Sequence, residues 1–233
     1  MMNISIRMSP LVLVLALSGC WLDDDKIEQV AEPEPVMVRY EVTVTNLTAG
    51  QPISPLALLL HESGRLWEVG QSASVALEQV AEEGNNQAML ATERVLASSA
   101  GESPILPGQS ETLSISIEEK TDSLLSIAAM LGNTNDGFTG LNALDLAQLS
   151  EGDSWEGNSF AYDAGTEANS ESLHTVPGPA AGGEGFNGAR DDRDFISMHP
   201  GVVSAPDGLP DSALTVAQRF DNPVARIRIT RTQ

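Results

Sequence analysis

Residues 36–45 read VMVRYEVTVT, and residues 224–231 near the other end of the chain read VARIRITR. In both stretches apolar side chains recur at every second position, which is the period of a β-strand that buries one face. These residues are Val38, Tyr40, Val42 and Val44 in the first stretch, and Ala225, Ile227 and Ile229 in the second. The shared pattern predicts that the first and last strands belong to one β-sandwich.

More strands are predicted between these two wherever apolar residues alternate with polar ones or run together between turn residues. They fall at 52–61, which holds an unbroken apolar run at 56–60, and at 111–118, 123–131 and 158–162. The segment 65–69 is expected to continue the second strand after a turn. The segment 141–149 is typical of either a strand or a helix, and the pattern alone does not decide between them.

Two helices interrupt this series of strands. Residues 73–83 and 86–97 are rich in Ala, Leu, Glu and Gln, which favour helices, and they are separated by a Gly-Asn break. The Gly-, Pro- and Asp-rich stretch 164–194 is longer than most structureless loops, which indicates a functional segment. We therefore predict a mainly β protein: an antiparallel β-sandwich with two short inserted helices and long loops at one end.

Composition excludes several classes of function. The 233 residues include 33 Asp and Glu but 12 Lys and Arg, so the net charge is −21 and a nucleic acid would be repelled. The single cysteine excludes an intrachain disulfide framework and a thiolate zinc cluster.

That cysteine, Cys20, ends a segment typical of bacterial export. Residues 1–19 combine Arg7 with the apolar run 11–17, which is too short for a lasting membrane span. The sequence Leu-Ser-Gly-Cys at 17–20 resembles the lipobox of bacterial lipoproteins, which implies cleavage before Cys20 and lipidation of its thiol. The alternative is an ordinary secretory signal with a chance cysteine.

The lipobox interpretation divides the chain into three parts. Residues 1–19 are the lipoprotein signal peptide, 20–36 an acidic tether and 37–233 the folded domain. Trp21 follows the cysteine where an aspartate would favour retention in the inner membrane. This predicts a lipoprotein of the bacterial cell envelope that is anchored in the outer membrane and faces the periplasm or the exterior.

Two acidic loops are candidates for a cation site. The first is Asn-Thr-Asn-Asp-Gly at 133–137, and in the second, 162–171, Asp163 and Glu167 flank Gly165. Calcium takes six to eight oxygen ligands, and a glycine lets the backbone curl around the ion. Asn169 and Glu171 would add further oxygens. The alternative is that both are solvated turns, because Asn-Asp-Gly is a common hairpin turn and the chain is acid-rich throughout.

The same loops carry a family resemblance. The segments RYEVTVTNLT, SIAAMLGNTNDGFTGLNALDL, FAYDAGTEANSE and VARIRITR, within about residues 38–231, resemble bacterial spondin-domain lipoproteins, which are related to the spondin N-terminal domain of animal matrix proteins. The resemblance implies a β-sandwich like the calcium-dependent phospholipid-binding modules, with one bound calcium. The family's ligand positions fall on Asp136, Asp163 and Glu167. Two positions depart from the family pattern: Gly137 replaces a Trp and Glu167 replaces an Asp.

Catalysis has weaker support in the sequence. A Gly-x-Ser-x-Gly nucleophile motif is absent, and His61, His174 and His199 are far apart in sequence. His199, which sits in a segment that also resembles the bacterial branch, is expected to bond to backbone and not to a metal. We predict a calcium-binding envelope lipoprotein that is a non-catalytic adhesion or ligand-binding module. Its expected partners are the membrane, through the lipid anchor, and an extracellular protein or glycan. The alternative is an envelope hydrolase with a triad assembled from the loops.

Overall fold

The structure is a computed structural model that describes residues 34–233. The predicted signal peptide, Cys20 and most of the tether lie outside the described residues. The described part is mainly β, with ten strands in two antiparallel sheets and two α-helices. The prediction of a mainly β, antiparallel fold with two short helices is therefore confirmed.

The first sheet has four strands and joins the two ends of the domain. Its strand order is β4-β1-β10-β7. Strand β1 pairs with β10 from Tyr40↔Arg231 to Asn46↔Ala225, so the first and last strands belong to one sandwich, as predicted. The bounds of these strands are β1 Met37–Asn46, β4 Ser110–Glu118, β7 Ser154–Ser159 and β10 Ala225–Arg231.

The second sheet has six strands in the order β3-β2-β5-β6-β8-β9. Its central strands β2 and β5 are mostly apolar and are buried along almost their whole length, because both of their faces are covered, one by the first sheet and the other by helix α1. The bounds are β2 Ala57–His61, β3 Val95–Ala100, β5 Leu124–Met130, β6 Gly137–Asp145, β8 Ala161–Asp163 and β9 Ser197–Met198.

Helix α1, Val75–Glu83, begins two residues after the start of the predicted segment 73–83 and ends where that segment does. The hydroxyl of Ser74 accepts a hydrogen bond from the backbone N–H of Leu77, and Gly84 closes the helix with φ +69°. The apolar side of α1 buries Leu77 and Val80 over the second sheet.

Three local predictions need correction or completion. The predicted helix 86–97 is wrong beyond its first turn, since α2 spans Gln87–Leu90 and the chain then forms β3, which pairs with β2. Helix-favouring composition is a weak prior, and the main-chain groups of β2 gain partners from β3. The segment 65–69 does not continue the second strand. In the ambiguous segment 141–149, the strand β6 extends to Asp145.

The end of β1 fixes the position of the first acidic loop. The side chain of Asn46 donates to the carbonyl of Gln51 at 2.7 Å. Gln51 in turn accepts a hydrogen bond from the backbone N–H of Asn133 at 2.8 Å. The start of β1 at Met37 is about 30 Å away, because ten strand residues rise about 3.3 Å each. The chain thus enters the sandwich at the end opposite the 133–137 loop.

Within residues 34–233, we find no helix that is both long enough and apolar enough to cross a membrane.

Candidate metal centre

The two acidic loops lie side by side. Strands β6 and β8 pair so that Gly137 faces Asp163, which places Asp136 next to the start of the second loop. The backbone carbonyl of Asp136 accepts a hydrogen bond from Ala164 at 3.2 Å. Three residues predicted from the sequence, Asp136, Asp163 and Glu167, therefore lie in one cluster. Whether they bind calcium stays a prediction.

Asp136 is fully buried, and one of its oxygens has no hydrogen-bond partner. Its Oδ2 accepts hydrogen bonds from the backbone N–H groups of Thr166 at 2.8 Å and Glu167 at 3.1 Å. Its Oδ1 is buried and receives no donor. Burial, and then the neighbouring charge of Asp163, raises the pKa of Asp136 to about 7.

Asp163 is also fully buried, but both of its oxygens are bonded. Oδ1 accepts from the N–H of Gly165 at 2.9 Å, and Oδ2 accepts from Asn169 at 2.6 Å and from the Arg193 guanidinium at 3.3 Å. Burial raises the pKa of Asp163, while Asn169 and Arg193 oppose that rise. Asp163 is therefore the best-neutralised carboxylate of the cluster.

Glu167 and Glu171 complete the acidic lining of the second loop. Burial, together with the charges of Glu82 and Asp136, raises the pKa of Glu167 to about 8. Burial raises the pKa of Glu171 to about 7; its Oε1 accepts from Val203 at 3.4 Å, whereas Oε2 is buried without a partner. Glu171 adopts φ +54°, a left-handed conformation that is unfavourable for a side chain of this kind.

The first loop is held in place by its own polar side chains. Thr134 Oγ1 donates to the carbonyl of Leu131 at 2.6 Å and accepts from the N–H of Gly137 at 2.9 Å. The Asn135 amide donates to Thr175 Oγ1 at 2.8 Å, and its oxygen accepts from the N–H of Glu171 at 3.1 Å. The loop is therefore shaped before any ion binds.

The second loop depends on a glycine and on the acidic segment 191–194. Gly165 has φ +71°, and a Cβ built there would lie 2.3 Å from the Phe195 carbonyl oxygen. The carbonyls of Gly165 and Thr166 accept from the N–H groups of Asp194 at 2.8 Å and Asp191 at 3.1 Å. The acidic segment 191–194 thus packs against the second loop.

The residues present fit a hard divalent cation by their chemistry. Three buried oxygens here have no hydrogen-bond partner: Asp136 Oδ1, Asn169 Oδ1 and Glu171 Oε2. Such atoms normally have a partner, and carboxylate and amide oxygens are the ligands that calcium prefers. In the described chain, however, no three His, Cys, Asp or Glu side chains are already arranged as a closed set of ligands. An ion would therefore have to draw on backbone carbonyls and water as well, or move the side chains.

Glu82 is a member of this cluster that sequence reasoning missed. It lies in the last turn of α1, is 1% exposed, and adds its charge to that of Glu167. The sequence signal was its spacing. Glu82 follows the buried Glu78 by one helical turn, and Leu77 and Ala81 precede these two residues on the buried side of the helix.

The three histidines do not form the triad of the hydrolase alternative in the part of the chain that the structure describes. His61 Nε2 lies 2.9 Å from Ser126 Oγ, but its Nδ1 faces the Ser63 carbonyl and not an acid, and Ser126 is fully buried. His199 is buried, and its Nδ1 accepts from the Gly201 N–H at 3.0 Å, the backbone bond expected for it. Burial lowers the pKa of His199 to about 4.

Comparison with protein-family models places most of the folded domain in a known family. A protein-family model described as Spondin_N matches residues 53–176, more than half of the 233-residue chain. The matched region contains α1 and both acidic loops. No curated protein matches the chain.

Proposed function

The chain belongs to the Spondin_N family, and from that premise we propose that it is a calcium-dependent binding module. Membership itself indicates a non-enzymatic adhesion or binding module. Calcium, the envelope location and the nature of the partner are the parts that we add. The His61–Ser126 contact gives a hydrolase no support, because it has no acid and no access to substrate.

The observation that carries the calcium proposal is the buried, unpartnered oxygen of Asp136. Ionising a carboxylate in this environment costs free energy, yet the surrounding loop holds the Asp136 side chain in its buried position. Asp136, Asp163 and Glu167 hold the ion, and Glu171 and Asn169 add oxygens. Bound calcium supplies positive charge that offsets the mutual repulsion of these carboxylates.

The surface beside the metal centre supports a protein or glycan partner. Exposed apolar side chains flank the second loop: Leu173 is 56% exposed, Met198 46% and Phe195 38%. Arg193 stacks over the Phe195 ring at 5.6 Å from its centroid. Aromatic and arginine side chains of this kind are enriched at binding interfaces. Calcium orders the loop and thereby presents this surface.

Lipidation of Cys20 places the module at the membrane. The tether joins the sandwich at Met37, about 30 Å along β1 from the metal centre. Attachment at that end leaves the metal-centre end free to meet a partner. We infer an outer-membrane lipoprotein that faces the periplasm or the exterior. Several acyl chains anchor a protein stably, whereas a single chain gives marginal binding.

The partner can be sought by capture from cell-envelope extracts with calcium and with a chelator. We expect calcium-dependent capture by the wild-type protein, loss of capture by Asp136→Asn, and full capture by Asp122→Asn, an exposed aspartate in the loop between β4 and β5 at the other end. Capture that is equal in calcium and chelator would refute the calcium-dependent module. Equal capture by Asp136→Asn and wild type would remove the metal centre from the interaction.

A further inference from the structure

A cavity of about 460 Å³ opens between the two sheets at the end of the sandwich where β1 begins. Strands of both sheets begin or end around it. Its apolar base consists of Val38, Ile117 and Leu146, which belong to the core between the sheets. A volume of this size is typical of the pockets that hold small molecules in proteins. The cavity lies at the end opposite the metal centre, so a ligand bound in it is separate from the proposed calcium.

Tyr40 brings a polar group from the core to this cavity. The residue is 7% exposed and packs in the core between the sheets, yet it also lines the cavity. Among the described residues, none forms a hydrogen bond with the Tyr40 hydroxyl. A buried polar group normally has a partner, because burial deprives it of its hydrogen bonds to water. The hydroxyl is therefore free to bond to a molecule inside the cavity.

The rim of the cavity is strongly acidic. Four exposed carboxylates lie on it: Glu62, Glu119, Asp122 and Asp145. Arg231 is the one basic side chain among the described residues that line the cavity. The ionised lining therefore carries three negative charges, four from the acids less one from the guanidinium. A cleft lined mainly by one sign of charge concentrates ions of the opposite sign, so this lining favours a cation.

The guanidinium of Arg231 is already engaged and is not available to an anion. Arg231 lies opposite Tyr40 where β1 pairs with β10. Its Nε donates to the carbonyl of Gln233 at 3.1 Å, its Nη1 donates to the carbonyl of Leu149 at 3.1 Å, and its Nη2 lies 3.6 Å from Glu119 Oε1. The groups left to a ligand are the tyrosine hydroxyl and carboxylate oxygens, which accept hydrogen bonds from a donor.

An organic cation fits this cavity better than a metal ion does. Within residues 34–233, no three Asp, Glu, His or Cys side chains lie close enough together to hold a metal ion, and the base of the cavity is apolar. We propose that the cavity binds a small organic cation, a primary alkylammonium ion. Its hydrocarbon chain lies on the apolar base, and its ammonium group donates to the Tyr40 hydroxyl and to the carboxylates of the rim.

The test uses the full chain in a non-ionic detergent at neutral pH, with n-hexylamine as the probe and hexan-1-ol and hexanoate as controls of the same chain length. The protein has two tyrosines, Tyr40 and Tyr162, so selective ¹⁵N-tyrosine labelling gives one backbone amide signal at each end of the sandwich. Tyr162 lies in β8 beside the metal centre and is the internal control. We expect hexylamine to shift the Tyr40 signal alone.

Titration calorimetry measures the affinities. We expect hexylamine to bind about tenfold more tightly than either control, because hydrogen bonds to charged groups are stronger than those between neutral groups. Tyr40→Phe, which loses only the hydroxyl, should bind hexylamine about three to ten times more weakly. Asp145→Asn should bind it about threefold more weakly. Glu41→Gln removes a charge from the outward face of the strand that holds Tyr40, and it should bind as the wild type does.

Equal binding of hexylamine, hexan-1-ol and hexanoate would overturn the assignment of a cation. A shift at Tyr162 without one at Tyr40, equal affinity of the wild type and Tyr40→Phe, or no binding of hexylamine by the wild type would overturn the site. Circular dichroism checks that each variant is folded, and the labelled wild type decides the location even if a variant does not fold. All of these outcomes leave the calcium proposal standing, because the cavity shares no residue with the metal centre.

Discussion

At Asp136, hydrogen bonding and burial act in opposite directions. Two backbone N–H groups favour the ionised form, but removal from water and the nearby Asp163 disfavour it more, so the pKa rises to about 7. Without compensation, the ionised Asp136 would lower the stability of the fold. The cation that we propose would offset this cost, because it binds the ionised form.

The first prediction follows from these opposing effects on the ionisation of Asp136. We expect Asp136→Asn to be more stable than the wild type in chelator at pH 8, because a pKa displaced from 3.8 to about 7 implies about 4 kcal/mol of ionisation cost. With calcium the difference should narrow: the wild type gains about 2.7 kcal/mol at one hundred times Kd, and the variant gains nothing. Thermal unfolding in chelator and in calcium at fixed ionic strength measures both differences.

Asp122→Asn is the control for general screening of the acidic surface, and it should respond to calcium as the wild type does. An equal calcium shift in Asp136→Asn and in the wild type would show that the ion binds elsewhere.

The second prediction concerns pH in the absence of calcium. Asp136, Glu167 and Glu171 have folded pKa values of about 7, 8 and 7, above their ordinary values, so the folded state holds more protons than the unfolded state. Their contribution to stability is present at low pH and is lost as pH rises through 7 to 8. The melting temperature in chelator should therefore fall between pH 6.5 and 8.5.

The contribution of His199 to the pH dependence of stability has the opposite sign. Because its pKa is lowered, stability is lost as pH falls below about 6.5 towards 4. The window above pH 6.5 therefore isolates the carboxylates. Saturating calcium should flatten the pH dependence, because the ion competes with the protons. A melting temperature in chelator that rises across this window would contradict the assigned shifts.

The sequence predicted these site residues unequally. Spacing around Gly165 marked Asp163 and Glu167 as candidates in one loop, and the family resemblance joined Asp136 to them. Glu82 sits in a helix, and its role depends on how α1 docks on the second sheet. That docking is a tertiary event set by Leu77, Val80 and Phe138, which no local pattern reports.

At the scale of elements, the conformation of the second loop depends on a single glycine. Gly165 needs both a positive φ and the space of a missing Cβ, because the Phe195 carbonyl oxygen would be 2.3 Å away. Gly182 has nearly the same φ, +73°, but nothing lies within 4 Å of the point that a Cβ would occupy there. A comparison of substitutions at Gly165 and Gly182 therefore separates the free-energy cost of the backbone conformation from that of the close contact.

The third prediction uses that pair. Gly182→Ala should lose about 1 kcal/mol of unfolding free energy, the usual cost of a left-handed conformation for a residue with a side chain. Gly165→Ala should lose roughly 1–3 kcal/mol more, because the loop has to shift away from Phe195. It should also weaken calcium binding, which Gly182→Ala should not. Denaturant unfolding and calorimetry measure the two effects, and equal losses in both variants would show that the contact is unimportant.

Strands that bury only one face were predictable from the sequence. Strands β1 and β10 alternate strictly, since a shift by one residue would expose every core side chain. Strand β3 was mistaken for helix because its Ala, Leu and Ser residues carry little strand preference. Its conformation comes from pairing with β2, a partner more than thirty residues earlier in the chain.

At the scale of the whole molecule, the proposed metal centre and the start of the folded domain lie at opposite ends of the sandwich. The acidic cluster lies at the end where β5 runs into β6, and β1 starts at the other end. The two sheets share one core between them, and this core separates the two ends of the sandwich. Ion binding at one end therefore requires no contact with the chain at the other end. The anchor and the metal centre should therefore be separable by mutation.

The last prediction tests that separation. Cys20→Ser removes the thiol that the lipobox presents for acylation, so the protein should leave the membrane fraction or accumulate unprocessed. Detergent-phase partitioning measures this, and Ser18→Ala, which keeps a small residue in the lipobox, should partition as the wild type does. The Cys20→Ser protein should keep the full calcium-induced rise in melting temperature, because the fold and the carboxylates are untouched. A Cys20→Ser protein that still enters the detergent phase would show that the attachment is not a lipid on Cys20. Loss of its calcium response would show that anchor and metal centre are coupled.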